Sequence, residues 1–160
     1  LILTPLAHNT PAQIAQATAL WQAIGSRVHQ MTPEAHDQTF AAVSHVPHLL
    51  AFAMMNGLLQ QPQAEAFLKL AGPGFRDFTR IAASDPTMWR DVFLNNKDAV
   101  LEMLGRFSED LSALQRAIRW SDGDMLFDVF TRSRQIRRGI IEAGQDTASP
   151  DFGRGAPKSQ

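Results

Sequence analysis

Five apolar residues, Leu104, Phe107, Leu111, Leu114 and Ile118, follow one another at steps of 3, 4, 3 and 4. No other feature constrains the chain as much. Side chains three and four residues apart lie on one face of an α-helix, so the spacing predicts a helix from about Asn96 to Trp120. The apolar seam on that helix is narrow, of the kind that two helices share. It requires a partner helix.

Helical signals also fill most of the chain around the seam. Thr32-Pro33-Glu34 supplies an N-cap, a first-turn proline and an acidic residue facing the positive end of the dipole, which predicts a helix through Phe40 and Val43 toward Met55. Pro47 interrupts it: proline has no N–H and its ring collides with the carbonyl of Val43, so a kink is expected around Ser44 to His48. Asn56-Gly57 and Gln60-Gln61-Pro62 punctuate the chain, and shorter helices are expected at about 63–70, 75–83 and 86–94. Beyond Ser121-Asp122-Gly123-Asp124, the residues Leu126, Val129, Phe130, Ile136 and Ile140 predict a last helix. Arg134, Arg137 and Arg138 are expected at its C-terminus, where cations meet the negative end of the dipole.

The opening is different. Leu1 to Thr4 is a β-rich run stopped by Pro5. Thr10-Pro11 then caps a helix carrying Ile14, Ala17, Leu20, Trp21 and Ile24, Gly25 closes it, and Ser26 to Met31 can form a second strand. That is one βαβ unit in about thirty residues. Two strands alone are marginal, so the abrupt start on Leu1 reads as a strand severed from a larger sheet. The expected organisation is a strand-helix-strand over 1–31, an all-helical domain over 32–142, and a Gly-, Pro-, Ser- and Asp-rich linker or disordered tail over 143–160.

Composition closes several functional classes. With 15 Lys plus Arg against 16 Asp plus Glu, no net field draws the chain to nucleic acid or an anionic membrane. There is no cysteine, hence no disulfide, thiolate metal site or cysteine nucleophile. The uninterrupted apolar stretches, such as Leu49 to Met55, fall short of the roughly 20 residues that span a membrane. A cytoplasmic protein that binds neither nucleic acid nor membrane is the expectation.

Three constellations could carry chemistry. In Ser44-His45-Val46-Pro47-His48 the two histidines would share a face if the helix persisted through the bend. A structural or surface role for them is equally compatible with the spacing. The pair lacks HExxH spacing and has no sulfur partner, so no metal is expected. In Gly72-Pro73-Gly74-Phe75-Arg76-Asp77-Phe78-Thr79-Arg80 a glycine turn opens a helix whose first turn is expected to carry two arginines, which suits a carboxylate or phosphate. Asp77 could hold Arg80 at i to i+3, with Phe75, Phe78 and Ala82 on the core side. In Ser84-Asp85-Pro86-Thr87-Met88-Trp89, Asp85 caps a helix whose buried stripe is Trp89 and Phe93. No GxGxxG, Walker motif, nucleophile elbow or paired-carboxylate site is present.

Together these three motifs resemble the prephenate and arogenate dehydrogenase family, and the likeness runs from Ile2-Leu3-Thr4-Pro5 to about Ile118. The resemblance implies a mainly α fold: a helical dimerisation domain of the kind found at the C-terminus of 6-phosphogluconate dehydrogenases, preceded by a βαβ remnant of a Rossmann sheet. It also implies an oxidoreductase of tyrosine biosynthesis that oxidises and decarboxylates prephenate, or arogenate, with NAD or NADP held mainly by an upstream domain. By motif, His45 would bind substrate, Arg80 would clamp a substrate carboxylate with Asp77 orienting it, and Gly74, Ser84 and Trp89 would lie near the site. The catalytic base would belong to the upstream domain, so this chain alone is expected to be inactive and to form an intertwined homodimer. A non-catalytic helical self-association domain is the other reading of the same seam.

Overall fold

The structure is a computed structural model that describes residues 1–145. Two very short parallel strands, β1 (Ile2–Leu3) and β2 (His29–Gln30), pair Ile2 with His29 and Leu3 with Gln30 around helix α1 (Pro11–Ala23). The sequence-predicted βαβ unit is therefore present, with strands of only two residues each. Thr10 and Gln13 form a reciprocal capping box at the start of α1, satisfying two donors that a helix N-terminus otherwise leaves free. At its end Gly25 has φ +89°. The amide of Gly25 donates to Gln22 O and that of Ser26 to Trp21 O, a Schellman stop that needs the left-handed conformation glycine adopts without cost.

From Pro33 the chain is helical almost throughout. Helix α2 (Pro33–Phe40) leads directly into a π-helical turn (Ala41–His45), which leads into α3 (Val46–Leu59). The expected kink is thus a change of helical winding. The Val46 amide reaches back five residues to Ala41 O, and Pro47 falls within the first two residues of α3, where its missing N–H costs least. A π turn can absorb an irregularity without breaking the rod. The result is one continuous helical run from Pro33 to Leu59, 27 residues long.

Helix α4 (Ala64–Lys69), helix α5 (Pro73–Thr79), a 3-10 turn (Arg80–Ala83), helix α6 (Pro86–Asn95), helix α7 (Lys97–Arg119) and helix α8 (Gly123–Glu142) follow. The chain divides within α7 into two compact units, the first ending at Gly105 and the second beginning at Arg106.

In the first unit Ala41, Val46 and Val100 form a buried cluster against which Leu50, Phe93, Ala99 and Met103 pack. The small Ala41 sits in the π turn itself, so the wider turn lies against the core. Helix α5 and the 3-10 turn both pack on α3. In the second unit α7 ends in another Schellman stop, with Asp122 N–H on Ala117 O and Ser121 N–H on Ile118 O. Here the left-handed position is Ser121, φ 57°, a conformation that costs a non-glycine residue about 1 kcal/mol.

Two sequence expectations change. Helix α8 continues to Glu142 and has no basic residue in its last turn, so Arg134, Arg137 and Arg138 do not stand at its C-terminus; helix-compatible residues from Gly139 to Glu142 carry it one turn further. Phe78, expected on the core side of α5, is 39% exposed because that seven-residue helix is too short to bury both of its phenylalanines. Of the tail expected over 143–160, residues 146–160 lie outside the described residues.

Candidate functional site

The π turn brings the histidine motif into an aromatic cluster. His45 is its last residue and His48 lies one helical turn later. Trp89, on α6, fits between them: its indole stacks on His48 at 3.8 Å and 23° and meets His45 edge-on at 6.0 Å. Phe93 lies 5.5 Å from Trp89 on the same helix, which is the expected buried stripe. His36 and Phe40, 4.6 Å apart on α2, extend the cluster. Helix α6 reaches this position because Asp85 caps it, its carboxylate accepting from the Met88 amide at 2.8 Å.

Hydrogen bonds fix the rings. His48 Nδ1 lies 2.8 Å from Ser44 O; a carbonyl only accepts, so that nitrogen carries the proton and donates. His45 Nδ1 lies 3.1 Å from Asn96 Nδ2, and the same amide nitrogen donates to Asp37 O at 2.9 Å. Asn96 was not singled out in the sequence; it lies 51 residues from His45, and nothing local signals the contact.

His45 protonates less readily than an ordinary histidine, whose value is 6.5. Burial is the main cause, repulsion by His36 and His48 adds to it, and Asp37 opposes it. At neutral pH the ring is therefore uncharged. The lowered folded value has a sign for stability: between it and 6.5 the unfolded chain binds the proton and the folded chain does not, so stability rises with pH across that window. Thermal melts should show a melting temperature that falls as the pH drops from about 7.5 through the window and then levels, with a shallower slope in His45→Asn. An unaltered slope in the variant would assign the pH dependence to another group.

Among the residues expected from the motifs, His45 and Trp89 are brought together. Arg80 opens the 3-10 turn on the neighbouring α5 segment. It is not in the first turn of α5 as expected, because the helix begins at Pro73 and only Arg76 falls within it. Arg76 is engaged locally, donating to Ala71 O at 3.0 Å. Arg80 is exposed, and among the described residues its guanidinium makes no hydrogen bond or ion pair. The expected Asp77–Arg80 pair is therefore not formed among the described residues; one carboxylate oxygen of Asp77, Oδ2, is buried, whereas Arg80 is exposed. Ser84 donates its hydroxyl to Ile81 O at 2.7 Å, closing the 3-10 turn. Gly74 has open space where a Cβ would stand. The Trp89 indole nitrogen is buried and has no acceptor among the described residues, a donor that costs about 1–3 kcal/mol to leave unsatisfied.

Residues 32–132 match the family model described as the dimerisation domain of prephenate dehydrogenase. The chain is 42% identical over 144 residues to the cyclohexadienyl dehydrogenase of Zymomonas mobilis, covering 88% of this chain and 48% of that protein. It is 31% identical over 140 residues to the prephenate dehydrogenase of Bacillus subtilis, covering 87% of this chain and 38% of that one. Among solved structures, prephenate dehydrogenase from Aquifex aeolicus in complex with hydroxyphenyl propionate and NAD+ superposes with a TM-score of 0.81 at 38% identity, covering 87% of this chain and 49% of that chain. The chain thus spans about half the length, or less, of these relatives.

Proposed function

This chain belongs to the prephenate dehydrogenase family, and we propose that it supplies the substrate-carboxylate clamp and the dimerisation surface of an NAD- or NADP-dependent dehydrogenase of tyrosine biosynthesis. The observation that carries this reading is the exposed guanidinium of Arg80, without a partner among the described residues, on a turn packed against α3, the helix that carries His48 and follows His45, the two histidines that Trp89 meets. A planar cation, a neutral N–H donor and an aromatic wall are together the groups that suit a small ring acid. In this assignment Arg80 holds a ring carboxylate, His45 donates a hydrogen bond, and Trp89 forms the wall. Asp77, Ser84 and Gly74 shape the turn from which Arg80 projects.

The reaction proposed for the whole protein is removal of a hydride from the hydroxyl-bearing ring carbon of prephenate with loss of the ring carboxylate as carbon dioxide. Arogenate, which differs in its side chain, is the alternative substrate. A dinucleotide needs a phosphate cradle after a strand, and the described residues, with two two-residue strands and no GxGxxG, do not provide one. What this chain's residues do is bind, orient and exclude water. Residues 1–31 then belong to the nucleotide-binding part and 32–142 to the helical domain. The test is to assay the full-length protein with prephenate and with arogenate, each with NAD+ and NADP+; turnover of neither acid would end this reading.

Dimerisation is supported by apolar residues left uncovered. Ile118 is 66%, Trp120 72% and Phe127 70% exposed in the second unit, and Leu111 and Ile118 are the exposed members of the seam. The helical run Pro33–Leu59 is, by length and composition only, long and apolar enough to cross a membrane. It falls within the stretch that matches a dimerisation domain, so we assign its apolar surface to protein contacts. A homodimer burying more than about 2,000 Å² is expected. Each apolar residue covered is worth about 1.5–3 kcal/mol, and symmetry counts every substitution twice. Light scattering should show a dimer at micromolar concentration and dissociation at least about a hundredfold easier in Ile118→Asp; a wild-type monomer would contradict the assignment.

A further inference from the structure

Asn96, at the C-cap of α6, uses one amide nitrogen on two acceptors: Asp37 O at 2.9 Å and His45 Nδ1 at 3.1 Å. The carbonyl decides the geometry. Turned over, the side chain would set its own oxygen against the Asp37 oxygen, so the nitrogen must face it, and its two hydrogens go one to each partner. His45 Nδ1 must then be the lone-pair nitrogen. A neutral imidazole has a single ring proton, which is left on Nε2. The same argument puts the proton of neutral His48 on Nδ1, where it meets Ser44 O. Two histidines three residues apart in one aromatic cluster therefore carry opposite tautomers.

We infer that Asn96 is a positioning residue that locks His45 in the Nε2–H form, so that the ring meets the substrate as a neutral hydrogen-bond donor and never as a base. The inference rests on His45 being a substrate ligand for its functional half, whereas the tautomer itself is a property of the chain without substrate. Asn96 also ties the start of α7 to α2 and the π turn. The groups facing the His45 ring are His36 and Asp37 from α2, His48 from α3, and the uncharged indole of Trp89 from α6. Protonating Nδ1 would set an N–H against the amide hydrogens of Asn96, which adds to the burial and to the two neighbouring histidines in keeping the ring neutral. A donor fixed in this way distinguishes an acceptor on the ligand, such as a carboxylate or carbonyl oxygen, from a group that must lose a proton.

The test is long-range proton–nitrogen correlation of the imidazoles in the nitrogen-15-labelled full-length protein, at about pH 7.5. The wild type should show His45 with an unprotonated Nδ1 and a protonated Nε2, and His48 with the reverse. In Asn96→Asp the new carboxylate accepts instead of donating. The His45 proton should move to Nδ1 or the ring should become cationic, its titration moving upward, while His48 does not change. Where the proton moves to Nδ1 and leaves Nε2 bare, the same substitution should raise the KM for prephenate about tenfold, the loss of one hydrogen bond, with the KM for the nicotinamide cofactor unchanged; a cationic ring keeps its Nε2–H donor and should leave that KM nearer the wild-type value. A wild-type His45 protonated on Nδ1 would overturn the assignment even if the variant failed to fold. A His45 tautomer indifferent to Asn96→Asp would overturn it too, as would a switched tautomer with an unaltered prephenate KM. Absence of any prephenate or arogenate turnover in the wild type would instead count against the proposed function, and the spectra would still decide the tautomer.

Discussion

Arg80→Ala in the full-length protein is expected to raise the KM for prephenate about 10- to 140-fold and to leave the KM for the nicotinamide cofactor near its wild-type value. A hydrogen bond to a charged group contributes about 1.5–3 kcal/mol, and each 1.4 kcal/mol is a factor of ten in binding. The structure makes the test clean. Among the described residues the guanidinium has no partner to abandon, and the residue is exposed, so removing it should leave the fold as it is. Arg80→Lys should recover only part of the loss, because an ammonium cannot make the planar two-pronged contact. Unchanged substrate kinetics in both variants, with wild-type melting curves, would show that the carboxylate binds elsewhere.

The second large effect concerns Trp89. It is 7% exposed and touches His48, His45 and Phe93, so it joins α6 to the π turn and α3. Replacing a buried tryptophan by alanine costs about 3–5 kcal/mol in lost burial and cavity, out of a total that for most domains is about 5–15 kcal/mol. Trp89→Ala should therefore lower the urea midpoint more than any other single change described above. Trp89→Phe should lose well under half as much. It keeps a ring against His48, and the indole N–H that it removes has no acceptor among the described residues. Urea unfolding at fixed protein concentration, followed by circular dichroism, measures both. A Trp89→Ala midpoint within experimental error of wild type would mean that the cluster does not hold α6 in place.

Much of the fold was legible because it depends on local rules. Thr10, Thr32 and Asp85 cap helices where their side chains can reach amides three residues on, and Gly25 stops α1 in a left-handed conformation that glycine adopts freely; the cap at Asp122 stands where the sequence showed only a break. The steps between Leu104 and Ile118 fixed both the helix and the unmet demand for a partner. The consequence of Pro47 was less legible. Proline rules give an interruption but not its form, and whether a rod breaks or widens into a π turn depends on what the wider turn packs against, here Val46, Val100 and Leu50 around Ala41. The span Pro33–Leu59, expected from the sequence as a helix kinked around Ser44 to His48, is one helical run with a π turn at that place.

The site divides along the same line. The residue types that could bind an acid, His45, Arg80 and Trp89, stood in recognisable motifs, and so did the caps that place them. The sequence alone determined which chemistry was available: imidazoles, a guanidinium, an indole, and no thiol or glycine-rich phosphate cradle. The tertiary structure decided how that chemistry is set. It left Arg80 exposed and without a partner among the described residues, placed Trp89 between two histidines, and brought Asn96 from 51 residues away to choose a proton's position. The physical reason is range. Caps and periodicity act over one or two turns, where neighbours in sequence are neighbours in space, whereas desolvation, ring stacking and tautomer choice depend on atoms that meet only after distant helices have packed.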